Sequence, residues 1–223
     1  TTEIYTLSLH DALPISCKGE QWTPRMVWGV EDIVMCPGKE DMFNFLEDIV
    51  REVVPLFPGK YFHIGGDECP KTSWKNCPTC QKRIQAEGLQ ADGKHSAEER
   101  LQSYVIKRME KMLARYGRKI IGWDEILEGG LSPDATVMSW RGTSGGISAA
   151  LQKHDVIMTP GSGGLYLDHY QGDYKSEPVT IPSAPAYLSK TYNYEPVPDT
   201  IKSLGLEKHI LGVQCNNWSE YMY

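Results

Sequence analysis

Several things are missing from this sequence, and each absence excludes something. No apolar run among the 223 residues comes near a membrane span, which needs ~20 such residues in a row. Positive charge is in deficit: 23 Lys and Arg stand against 29 Asp and Glu, a net charge of −6. A nucleic-acid partner is not expected, because phosphate binding wants clustered cations. No internal repeat is evident. A second CxxC pair is also missing: Cys77-Pro-Thr-Cys80 stands alone, whereas a zinc site normally shows four ligands in two such pairs. No metal and no cofactor are therefore expected. Cys17 with Cys36, or a pair within Cys69, Cys77 and Cys80, could form disulfides if the protein is exported, and connectivity is not readable from spacing.

The rest of the composition is that of an ordinary globular protein, long enough for one large domain or two small ones. Six Trp and twelve Tyr are many. Aromatic faces suit sugar rings, and they equally suit a core. Residues 1–16 have no helical or strand period and lack the basic start and long apolar centre of a signal peptide. Residues 1–15 resemble, codon by codon, a translated short-read sequencing adapter. On this reading 1–16 form no domain, and the natural sequence begins near Cys17.

The chain is organised around residues 61–68, Tyr-Phe-His-Ile-Gly-Gly-Asp-Glu. A short apolar strand runs into two glycines, where the backbone turns or is closely approached, and then into two adjacent carboxylates. Before it, residues 39–57 are helical in their middle, with Met42, Phe45, Leu46, Ile49, Val50 and Val53 on one face. After it, Ser96 and Glu99 form a capping box. The helix they open runs to about Tyr116 and buries Leu101, Val105, Met109, Met112 and Leu113, with Gly117 as its stop. Further strands are expected at 119–123, 136–140, 155–159 and 210–214, with a short helix at 146–153. Residues 161–198 read as a long functional loop. Strands alternating with helices imply an α/β fold with a parallel sheet. Several strand ends deliver Trp, Asp or Glu, as in a barrel that converges its strand ends on one pocket.

From Cys17 onward the motifs resemble glycoside hydrolase family 20, the β-N-acetylhexosaminidases. His-Ile-Gly-Gly-Asp-Glu at 63–68 matches the family signature. Gly122-Trp123-Asp124-Glu125, Ser139-Trp140-Arg141-Gly142, Tyr166-Leu167-Asp168 and Trp218-Ser219-Glu220 match later blocks in order. The resemblance implies a (β/α)8 TIM barrel, incomplete here. Residues 17–223 would form a partial catalytic domain carrying strands four to eight, with strands one to three and the closing helix absent.

It also implies removal of terminal non-reducing GlcNAc or GalNAc by substrate-assisted retaining catalysis, an exception to the usual carboxylate pair that comes from the family and not from these residues. The acetamido oxygen of the sugar would attack the anomeric carbon and close an oxazolinium ring. Glu68 would be the general acid and then the base, its pKa raised by the neighbouring Asp67 charge. Asp67 would accept from the acetamido N–H, and Tyr166 would donate to the acetamido oxygen. Trp123, Trp140 and Trp218 would wall the sugar, and Asp168 and Glu220 would accept from its hydroxyls. The expected partners are glycans ending in N-acetylhexosamine, in a periplasmic or secreted setting. The alternatives are a non-catalytic sugar-binding module, or a fragment of the enzyme that is itself inactive. His63 reads as a packed, hydrogen-bonded histidine, and Asp124-Glu125, which could be a second acid pair, reads rather as a structural pair or one that supports the site from behind. Trp22, Trp28 and Trp74 read as loop residues that pack or line an outer subsite.

Overall fold

The computed structural model describes residues 15–17, 29–181 and 185–218. The chain divides into two compact units. The first comprises Thr1–Phe62, Gly66–Lys119 and Glu128–Pro133, the second His63–Gly65, Ile120–Leu127 and Asp134–Tyr223.

In the first unit, helix α1 (Glu40–Val53) begins with Glu40 and Asp41 and ends near Arg51, which complements the helix dipole. It tightens into a 3-10 turn over Val54–Leu56, where Pro55 stands. Its buried residues are Met42, Phe43 and Val50, while Phe45, Leu46, Ile49 and Val53 are only partly covered. The buried stripe is rotated from the expected one because Phe43 is claimed on two sides. Its ring is edge-on to Tyr104 at 6.0 Å, and the Arg108 guanidinium lies 3.9 Å from the ring centre. Strand β1 (Tyr61–His63) follows. Then come two short helices, α2 (Thr72–Asn76) and α3 (Pro78–Ala86), and the long helix α4 (Ala97–Ala114). Trp74 lies on α2 and not on a loop. It is buried, and its indole N–H donates to the Met35 carbonyl at 2.8 Å. Trp22 and Trp28 lie outside the described residues.

Both arms of the expected capping box on α4 are present. The Glu99 amide donates to the Ser96 hydroxyl at 3.2 Å, and the Ser96 amide donates to the Glu99 carboxylate at 2.6 Å. At the other end Gly117 takes a φ of 69°, and the Arg118 amide reaches back to the Leu113 carbonyl at 3.0 Å. The buried face again differs from expectation: Ile106 is buried in place of Val105, and Gln102 and Ser103 are buried beside the apolar residues. These polar positions serve as fasteners. Gln102 donates to the Gly66 carbonyl at 2.9 Å and Ser103 to the Gly130 carbonyl at 2.6 Å. The segment they hold presses close, and a Cβ on Gly129 would fall 2.0 Å from the Glu99 carbonyl oxygen.

Here the structure corrects the cysteine reading. Cys77-Pro-Thr-Cys80 is not alone, because Cys17 and Cys36 supply two further sulfurs to it. All six cysteines are free thiols. The missing pair was invisible because its members come from separate segments rather than from a second CxxC.

The second unit is built on the sheet. Strands β2 (Lys119–Trp123), β3 (Thr136–Ser139), β4 (Val156–Met158) and β5 (Ile210–Val213) follow β1 in the spatial order β1-β2-β3-β4-β5. Pairing is parallel from β2 to β5. Beside β1 the bonds also advance in step, from Lys119 N–H to Lys60 C=O and from Ile64 N–H to Ile121 C=O. Spatial order equal to chain order means that the winding never reverses, as in a barrel and unlike a doubly wound sheet.

All four residues of β3 are buried, as are Ile120, Ile121, Val156 and Met158, the covered strands that parallel sheets require. Helix α5 (Ser144–Leu151) returns the chain from β3 to β4 and packs so closely that a Cβ on Gly146 would meet the Met158 sulfur at 2.7 Å. The long segment expected as a functional loop carries helix α6 (Leu188–Tyr192), and helix α7 (Asp199–Ser203) follows it directly.

Candidate active site

In the second unit, the carboxyl ends of the strands gather aromatic rings around Trp123, which ends β2 and is 8% exposed. Trp140, directly after β3, stands at 6.5 Å between ring centres, and Trp218, after β5, at 6.1 Å. His63, the last residue of β1, lies 4.8 Å away, tilted against the same ring. The three expected tryptophans are thus brought together. His63 accepts a hydrogen bond from the Gly65 amide at 3.0 Å and packs on the Trp123 ring, as expected, while part of the residue remains open to solvent. The surrounding protein still disfavours its charged form and lowers its pKa to about 4.

Asp124 and Glu125 hold this group in place. Both are buried, in a 3-10 turn that follows β2. One Asp124 oxygen accepts from the backbone amides of Trp140 at 3.0 Å and Arg141 at 3.2 Å, and the other accepts from the Arg141 guanidinium. Glu125 accepts from the Trp140 indole N–H at 2.9 Å. Burial raises the Glu125 pKa, while the indole hydrogen bond opposes the shift. Through these bonds the pair fixes the orientation of Trp140.

Tyr166 follows β4 and is buried, its backbone bridged in parallel to Asn216 beyond β5. The bridge is fastened by Leu167 N–H to Asn216 C=O at 2.7 Å and Asn216 N–H to Leu165 C=O at 2.8 Å. Two residues on, both carboxylate oxygens of Asp168 are buried with no hydrogen-bond partner among the described residues. Such a group is costly to leave unpaired and marks a place where a donor is owed. Glu220 lies outside the described residues.

In the first unit, Asp67 and Glu68 are exposed to solvent at the start of the segment after β1. Glu68 has a φ of 44°, a left-handed conformation that a non-glycine residue adopts only where its surroundings enforce it. Two residues that sequence reasoning missed pin the backbone on either side of it. Gln102 holds the Gly66 carbonyl from α4, and Lys71 donates to the Cys69 carbonyl at 2.8 Å and to the Gln102 side-chain oxygen. The clue to Gln102 was an amide on the buried stripe of a helix. Lys71 left no such clue. Desolvation raises the Asp67 pKa. It raises that of Glu68 too, and the Asp67 charge adds to it. A carboxyl group that holds its proton more tightly than usual is suited to act as a general acid.

The sequence model of glycosyl hydrolase family 20, catalytic domain, matches residues 5–223. This chain belongs to glycosyl hydrolase family 20. It is 56% identical over 211 residues to a β-hexosaminidase of Porphyromonas gingivalis, covering 94% of this chain and 26% of that protein. It is 34% identical to a β-hexosaminidase of Vibrio furnissii, over 88% of this chain and 31% of that one. Among solved structures, an exo-β-N-acetylglucosaminidase of this family from Vibrio harveyi, in complex with N-acetylglucosamine, superimposes with a TM-score of 0.75. It is 30% identical and covers 86% of this chain and 29% of that one. A β-N-acetylhexosaminidase from Bacteroides fragilis gives a TM-score of 0.75 at 26% identity, over 95% of this chain and 40% of that one. The chain therefore spans about a quarter to a third of the length of these curated relatives. Family 20 catalytic domains are (β/α)8 barrels, and the five consecutive parallel strands here are consistent with part of one. Of the segment that resembles an adapter, residues 1–14 lie outside the described residues.

Proposed function

We propose that this chain carries the acid pair and aromatic wall of an exo-acting β-N-acetylhexosaminidase, removing terminal GlcNAc or GalNAc from glycans. The observation that carries the reading is the Asp67-Glu68 pair behind Gly65-Gly66, with the Glu68 pKa raised by desolvation and by its neighbour's charge. Glu68 protonates the leaving oxygen and later takes a proton from water. Asp67 accepts from the acetamido N–H and stabilises the positive charge of the oxazolinium ring. Tyr166 donates its O–H to the acetamido oxygen. Trp123, Trp140 and Trp218 cover the sugar and its methyl group and exclude water. The Asp168 carboxylate receives a sugar hydroxyl as its missing donor, and Glu220 receives another. The names of the relatives support the substrate class, and the same resemblance supports a periplasmic or secreted setting.

The test is hydrolysis of 4-nitrophenyl 2-acetamido-2-deoxy-β-D-glucopyranoside by this chain beside its Glu68→Gln variant. Turnover is expected to fall by about 10²–10⁴-fold in the variant, the usual worth of a general acid. A thiazoline mimic of the oxazolinium ring should bind tightly. Sugar binding that survives Glu68→Gln, with no turnover in either protein, would instead identify a binding module or an inactive fragment.

A further inference from the structure

Four of the five cysteines of the first unit converge on one point. The Cys36 sulfur lies 3.4 Å from that of Cys80 and 3.7 Å from that of Cys77, and the Cys17 sulfur lies 3.6 Å from that of Cys80. All four sulfurs fall within 4.8 Å of one another. Around a tetrahedral zinc ion, with Zn–S bonds of about 2.3 Å, sulfurs stand about 3.8 Å apart. The cluster has that spacing. It is not resolved into two pairs, as disulfides would require, since Cys36 and Cys80 each neighbour two other sulfurs.

The surroundings are built for closure. Cys36 and Cys80 are wholly buried and Cys77 nearly so, and Trp74, Ile84 and Leu101 pack in the same cluster. The Cys17 segment is held by a backbone bridge and a side-chain hydrogen bond. Ser16 bridges Met35 in antiparallel fashion, the Cys36 amide donates to the Ile15 carbonyl at 2.7 Å, and Lys39 donates to the Ser16 carbonyl at 3.0 Å. Cys77 stands at the N-cap of α3, with Pro78 in its first turn. The Gly38 amide donates toward the sulfurs of Cys36 and Cys80. Gly38 can be nothing larger, since a Cβ there would lie 2.4 Å from the Thr79 carbonyl group.

We propose that Cys17, Cys36, Cys77 and Cys80 form a structural zinc site. Four thiolates, three of them buried, leave no open position and make it a closed, non-catalytic centre, and a set of sulfur ligands alone selects zinc over magnesium or calcium. Binding replaces the protons of four S–H groups by one Zn²⁺, and those protons go to solvent. The ion ties three distant pieces of chain together beside the segment that carries Asp67 and Glu68, and it takes no part in the proposed hydrolysis.

The test is the metal content of the purified chain. About one zinc per chain is expected, released when a thiol-specific mercurial titrates the cysteines. Cys77→Ser should lose the zinc, and Cys215→Ser, which alters an exposed cysteine outside the cluster, should keep it. Because Cys77→Ser could simply fail to fold, the unaltered chain is also stripped and refilled with Co²⁺. Sulfur-to-cobalt charge-transfer bands and intense tetrahedral d–d bands are expected. A chain without metal whose four thiols alkylate freely, or whose mass is lower by the four hydrogens of two disulfides, would overturn the proposal. None of these readouts depends on glycosidase activity.

Discussion

The two units reach order by different routes. In the second, neighbouring strands are also neighbours in sequence, each step from β2 to β5 adds a parallel ladder, and buried Asp124 gathers the turn that follows. In the first, order comes from cross-links between distant segments. Cys17 meets Cys80 across 63 positions, and Arg108 meets Glu40 across 68. Local encoding yields a frame that presents rings at strand ends. Distant cross-linking yields a framed segment on which Glu68 can be held in a strained conformation.

The largest effect that could break this comparison is removal of the metal. Structural zinc contributes about 10–16 kcal/mol of apparent binding free energy in zinc-finger peptides. Stripping it with a chelator should therefore abolish amide-exchange protection in α3 and α4 while β3 and β4 keep theirs, as read by hydrogen exchange. Equal loss in both units would show that they share one source of order. Next comes Asp124→Ala, which leaves the Trp140 and Arg141 amides without their acceptor. It should cost about 2–4 kcal/mol in urea melts, since each buried donor left unsatisfied costs about 1–3 kcal/mol. Asp124→Asn, which keeps an oxygen there, should cost less.

Smaller again is Ser96→Ala, which removes one arm of the capping box and should cost about 1 kcal/mol. The smallest effect concerns His63. Its pKa in the fold, about 4, lies below the unfolded value, so its neutral form stabilises the protein above the ordinary histidine range. That contribution should be lost as pH falls from about 6.5 toward 4, the unfolded chain taking up the proton first. His63→Phe should flatten this part of the stability–pH curve. The change should be modest, because the residue is partly open to solvent.

Cysteines held by zinc carry no message about an oxidising compartment. If the four thiols bind metal, the export reading rests on the family resemblance alone.

The legible parts share a cause. Strands β2 to β5 read as strands because each is a short apolar run, and their ends read as functional because Trp, Asp or Glu stands there or close behind. The capping box of α4 read correctly because Ser96 and Glu99 interact across three positions. The illegible parts share the opposite cause. Phe43 replaces its expected neighbours in the core because Tyr104 and Arg108 meet it from another helix. Gln102 is buried because a carbonyl far back in the chain needs a donor.

The sequence by itself determined the family, the order of the strands, and the residue types set at their ends, because each is written in contiguous or near-contiguous residues. Only the tertiary structure decided that Trp123, Trp140 and Trp218 share one wall, that Asp124 and Glu125 serve that wall, and that a solitary CxxC belongs to a cluster of four. Each of these depends on side chains that meet across tens of residues, and no local pattern of periodicity or spacing records such a meeting.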